Sequence, residues 1–112
     1  MKGAIYLYTR TGDLVRIVGR LRQTTRRGRG RSAYALVGEL VEEAERPDES
    51  SLRSFRISSS KATKFITALL NEEIEGPVIL KPEDEASYRV LCPGSLYERL
   101  VAKARELDLL IE

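Results

Sequence analysis

Apolar and polar residues alternate from the start of the chain. Between Ala4 and Arg10, Ile5 and Leu7 share one face, while Tyr6, Tyr8 and Arg10 share the other, which predicts a strand. Thr11-Gly12-Asp13 supplies turn chemistry, and alternation resumes over Leu14–Arg22. There Val15, Ile17, Gly19 and Leu21 face one way, and Leu14, Arg16, Val18, Arg20 and Arg22 the other. An amphipathic helix over Asp13–Arg22 is the alternative, but Val15, Ile17, Val18 and Gly19 oppose it. Gln23–Ser32 has no apolar residue and predicts a hairpin tip, with a third strand returning over Ala33–Val41. Glu42–Ser51 reads as an acidic loop, and Leu52–Ile57 as a fourth strand with Arg53, Phe55 and Ile57 opposite Arg56.

Helical spacing takes over after Ser58-Ser59-Ser60. Ala62, Phe65, Ile66, Leu69 and Leu70 predict a helix over about Lys61–Glu73, closed by Gly76-Pro77. Val78–Leu80 and Tyr88–Cys92 predict a short second hairpin. Ser95 and Glu98 have the spacing of a capping box for a last helix, about Leu96–Ile111. The expected order is ββββαββα. It implies an α+β fold: a four-stranded, mostly antiparallel sheet plus a short second hairpin, with two helices packed on one face.

The length of 112 residues suits a single domain spanning 1–112. With 42% hydrophobic and 32% charged residues, the chain is neither disordered nor membranous. No apolar run approaches the ~18 residues of a membrane span, and no signal-peptide pattern opens the chain. A cytoplasmic location is expected. Without any histidine, Ser-His, Cys-His and His-metal chemistry are excluded, and the lone Cys92 permits no internal disulfide. The carboxylates lie in polar segments that would not raise their pKa values, so no catalytic residue, metal or cofactor is expected. Cys92, in the run Val90-Leu91-Cys92, reads as buried filler.

Charge changes the picture further. The net charge is +2, yet Arg10–Arg31 carries +7, Glu39–Glu49 carries −5 and Arg53–Lys64 carries +4. Fourteen of the 19 basic residues are arginine, the residue suited to bidentate and stacking contacts with phosphates and bases. Single residues of Asn, Gln, Cys and Met among many charges match a hyperthermophile composition.

Three constellations follow. Tyr6, Tyr8 and Arg10 project beside Arg16, Arg20 and Arg22 in a regular sheet, a pattern that stacks bases and neutralises phosphates. Equally, the tyrosines could pack beneath a helix. Arg26, Arg27, Arg29 and Arg31 alternate with glycines in a loop able to follow a phosphate backbone, or to serve as a charged tip. Ser58-Ser59-Ser60-Lys61 opens a helix, where free amides with Lys61 and Lys64 could hold a phosphate, or where a serine caps and the lysines are solvated. Arg56 belongs to the same basic segment. The glycines of a P-loop are absent.

The Tyr6/Tyr8 and arginine-rich hairpin, the chain length and the strand–helix order resemble the ThermoDBP-related proteins of thermophilic archaea. That resemblance implies an antiparallel sheet on helices and binding of single-stranded DNA or RNA in an apolar cleft rimmed by basic groups. Some of those proteins carry a C-terminal coiled-coil extension; this sequence stops at Ile111-Glu112 without one, so no dimer of that kind is expected. Sequence-tolerant binding of single-stranded nucleic acid is therefore the leading expectation. A small RNA- or protein-interaction subunit of a ribosomal, transcription or RNA-processing assembly is the alternative. A homodimer is compatible with either.

Overall fold

The computed structural model describes residues 4–24, 32–72, 74 and 76–111, without the side chains of 20–24 and 32–36. Its strands are β1 (Ile5–Tyr8), β2 (Leu14–Thr24), β3 (Ser32–Leu40), β4 (Arg53–Ser58), β5 (Val78–Pro82), β6 (Ser87–Cys92) and β7 (Leu110–Ile111). Two helices, α1 (Ala62–Leu70) and α2 (Gly94–Glu106), complete an α+β fold.

All seven strands join one sheet in the order β3-β2-β1-β5-β6-β4-β7. This corrects the expected four-stranded sheet with a separate hairpin. The β5–β6 hairpin forms, but it is inserted between β1 and β4, with β5 running parallel to β1 through Ile5–Val78, Tyr6–Ile79 and Leu7–Leu80. The physical reason lies in Val78-Ile79-Leu80, a run apolar on both faces and fully buried, as a central strand requires. The other five pairings are antiparallel.

Both helices send their apolar stripes into one core on one side of this sheet. Phe65, Ile66 and Leu69 of α1, and Leu96, Leu100 and Ala104 of α2, cluster with Ile5, Ile17, Phe55, Ile57, Val78, Leu80 and Val90. Phe55 sits at the centre, edge-on to Phe65 at 6.2 Å and to Tyr97 at 5.9 Å between ring centroids. Cys92 is buried in the same cluster.

The helix ends differ from expectation. Ser59–Lys61 forms a 3-10 turn ahead of α1, and that helix stops at Leu70. Helix α2 starts at Gly94 after Pro93 with no side-chain capping bond, so the Ser95/Glu98 box is not formed. It ends at Glu106 rather than continuing to Ile111, because Asp108 adopts a left-handed conformation at φ 57°. The Asp108 amide donates to the Arg105 carbonyl, and the Leu109 amide reaches back to Ala104. This Schellman closure buries Leu109 and releases Leu110–Ile111 to pair with β4.

One irregularity matters for the candidate site. Between Ile17 and Gly19, strand β2 carries an extra residue, Val18, relative to β3. Arg16 is registered with Glu39, whereas Arg20 is registered with Leu36 and Arg22 with Tyr34. Leu36 and Tyr34 stand an odd number of residues from Glu39, so the two later arginines occupy the opposite register phase to Arg16. Unbroken alternation would have kept all three in phase. A one-residue bulge reverses every later position.

Candidate nucleic-acid interface

Period-two geometry in β1 sends Ile5 and Leu7 toward the helices and Tyr6 and Tyr8 to the opposite face. Register places Tyr6 between Arg16 and Ile79, and Tyr8 beside Leu14. Lys81 follows Ile79 on the same face and is registered with Arg89, itself registered with Arg56. Leu14 and Ile79 are fully buried although they stand away from the helix-side cluster.

The acidic segment reaches this face. Beyond the end of β3, the Val41 amide donates to the Leu14 carbonyl, and the chain passes a 3-10 turn at Glu43–Glu45. The Tyr8 hydroxyl donates to Glu49 Oε2 at 2.9 Å, and the Lys81 ammonium pairs with the same carboxylate. The Arg46 guanidinium lies 5.8 Å from the Tyr8 ring centroid, and Lys81 Nζ 5.0 Å from it. The tyrosines are thus half-buried against a cover supplied by their own chain. They belong neither to the helix-side core nor to a bare platform.

The other basic groups on this face also have acidic or carbonyl partners. Arg16 donates to Glu39 at 2.8 Å across the β2–β3 pair. Glu83 accepts from Arg89 at 2.7 Å and lies 4.0 Å from Arg56. The Arg10 guanidinium reaches the Asp84 carbonyl at 3.4 Å. A small pocket of about 80 Å3 lies between Tyr6, Arg16, Glu39, Leu40, Val41 and Glu45. Ligand pockets run ~300–1,000 Å3, so contact here is with a surface rather than an enclosed guest.

The electrostatic consequences follow from these contacts. Burial and the Glu49 carboxylate raise the Tyr8 pKa, and the Glu39 hydrogen bond raises that of Arg16. Burial pushes the Cys92 thiol up to about 11. Asp84 is held low by the Ala86 amide and the Ser87 hydroxyl, and Asp48 by hydrogen bonds from Ser50. Each of these shifts runs away from neutral pH. Among the described residues, no group of three or more His, Cys, Asp or Glu could hold a metal ion, and no helix is long and apolar enough to cross a membrane.

The expected site residues therefore separate into groups. Tyr6, Tyr8 and Arg16 are brought together on the face opposite the helices, and Arg56 joins its far side. Lys61 is engaged elsewhere, donating to the Asp108 carbonyl at 3.1 Å beside the end of α2. Lys64 is exposed on α1. Arg26, Arg27, Arg29 and Arg31 lie outside the described residues, as do the side chains of Arg20 and Arg22. Sequence reasoning missed Lys81 and Arg46, the two cations beside Tyr8. Alternation over Ile79 and Lys81 was a usable signal for the first; only the tertiary path of the acidic segment brings in the second.

The β2–β3 pair has one further property. Strand β1 covers only Leu14–Ile17 of β2, so the six registered pairs from Gly19–Val37 to Thr24–Ser32 continue without β1 beside them. At ~3.4 Å per residue this two-stranded ribbon extends about 20 Å.

Comparison with known proteins gives no match to a family model, to a curated protein or to a solved structure.

Proposed function

We propose that this chain binds single-stranded nucleic acid without sequence preference, the β2–β3 ribbon contacting phosphates and the Tyr6–Tyr8 face stacking bases. The observation that carries this reading is the ribbon. It continues beyond β1, its first strand contains Arg16, Arg20 and Arg22, and it leads in sequence into Arg26, Arg27, Arg29 and Arg31. Arginine contacts of this type position a backbone and carry little sequence information. Tyr8, flanked by Lys81 and Arg46, supplies the aromatic and cationic chemistry that single strands use. The role is binding, with no catalytic step and no cofactor.

A second reading has its own support. The Tyr8 hydroxyl and Lys81 are already taken by Glu49, whereas a two-stranded ribbon can lie in a groove of structured nucleic acid without using that face. An RNA-binding subunit of a larger assembly would work in this way.

Titration with single- and double-stranded DNA and RNA at two salt concentrations tests both. Single-strand binding should show a slope of log K against log salt of about −0.7 per phosphate neutralised. Replacing Arg26, Arg27, Arg29 and Arg31 together by Ala should flatten it. An unchanged slope removes the loop from the interface, and a marked preference for duplex or folded RNA moves the assignment to the second reading.

A further inference from the structure

We infer that strand β3 is a homodimer interface, on which β3 of a second copy pairs antiparallel about a two-fold axis. The sheet ends in two very different edges. Strand β7 is only two residues long, which is one way a natural sheet protects an edge. Strand β3 is nine residues long and contains no proline, lysine or arginine, with Glu39 its sole charge. It has none of the usual guards of an edge strand. Among the described residues, the exposed large hydrophobics are Val18, Val37 and Leu40, at 48%, 42% and 73% exposure, and all three lie on the β2–β3 pair. An edge of unpaired backbone groups flanked by exposed apolar side chains is a template for another strand.

The charge pattern identifies the occupant and its direction. The chain arrives at β3 from Arg26, Arg27, Arg29 and Arg31 and leaves it into Glu42, Glu43 and Glu45, which are exposed. In an antiparallel pair of identical strands, the basic end of one β3 lies beside the acidic end of the other, at both ends of the interface. Parallel pairing would set like charges together. The surface is therefore self-complementary in the manner that a closed two-fold dimer requires. This inference goes beyond nucleic-acid binding and does not depend on it.

Analytical ultracentrifugation of the full chain over a dilution series, without nucleic acid, tests the assignment. The wild type should show a reversible monomer–dimer equilibrium; a monomer throughout overturns the inference. Val37→Lys with Leu40→Lys, both at exposed positions, should weaken the dimer at least about tenfold, and an unaltered equilibrium places the interface elsewhere. Charge reversal tests orientation. One variant carries Glu42→Arg, Glu43→Arg and Glu45→Arg; the other carries Arg26→Glu, Arg27→Glu, Arg29→Glu and Arg31→Glu. Each alone should be monomeric with a circular-dichroism spectrum like that of the wild type, and an equimolar mixture should form heterodimers. Homodimers of either variant, or no association in the mixture, would refute the antiparallel arrangement.

Discussion

The two faces of the sheet are held by different forces. On the helix side, Phe55, Ile57, Phe65, Leu80, Val90 and Leu100 exclude water, and stability there comes from burial and close packing. On the other side, Tyr8, Lys81, Arg46 and Arg16 meet Glu49 and Glu39 in partly exposed polar contacts. Ion pairs of that kind are each worth ~0–1 kcal/mol and weaken with salt. The first face is committed to the fold. The second is held by contacts that a polyanion with the same chemistry as Glu49 and Glu39 could replace, so the comparison separates residues that support the fold from residues free to exchange partners.

The largest expected effect tests the helix side. Phe65→Ala removes a fully buried ring that packs edge-on against Phe55, and should cost ~3–5 kcal/mol in denaturant unfolding. A cost below 1 kcal/mol would show that this core is loosely packed.

Tyr8 supplies the matching test on the other face. Tyr8→Leu should weaken oligonucleotide binding by ~1–3 kcal/mol, with little dependence on salt, while Tyr8→Phe keeps the ring and most of the affinity. If Tyr8→Leu lowers the melting temperature and leaves binding intact, the cover over Tyr8 is permanent and the two faces are alike in function.

Alkaline pH acts on both sides at once. The Cys92 thiol is raised from 9.0 to about 11 and Tyr8 is raised above 10.0, so the folded state favours their neutral forms. Their contribution is fully present below pH 9 and is lost as pH rises, because the unfolded chain releases those protons first. Equilibrium unfolding should show a loss on the order of 2 kcal/mol from Cys92 between pH 9 and 11. Cys92→Ala should flatten that part of the profile. An identical profile in the variant would assign the loss to other groups.

The smallest effect sharpens the contrast most. Glu49→Ala removes the acceptor of Tyr8 and the partner of Lys81, at a cost of about 1 kcal/mol or less in stability. Affinity for a single-stranded oligonucleotide should rise several-fold, because a competing carboxylate has gone and a lysine is released. Weaker binding would make Glu49 a supporting group of the site rather than its competitor.

Period-two alternation in Ala4–Arg10 and helical spacing in Ala62–Leu70 were legible in the sequence, because each reflects one face of a local element turned toward a core. The same rule put Tyr6 and Tyr8 together, and the absence of histidine settled which chemistries could not operate. Strand order was not legible: that β5 enters beside β1 depends on contacts between segments more than 70 residues apart in sequence. Neither was the end of α2, where the stripe over Leu96–Ile111 fits a helix until Asp108 turns left-handed and Leu109 finds a buried place. The phase break at Val18 was equally hidden, since a bulge is defined only against its partner strand. Composition and local periodicity determined what each segment could become and which faces it could bury. Tertiary structure decided which segments meet, and with it that Glu49, from a segment that reads as a plain acidic loop, lies against the tyrosines and lysine of the candidate site. Hydrophobic patterning is non-directional and specifies burial without naming the partner, whereas register and long-range ion pairs exist only once the chain has closed on itself.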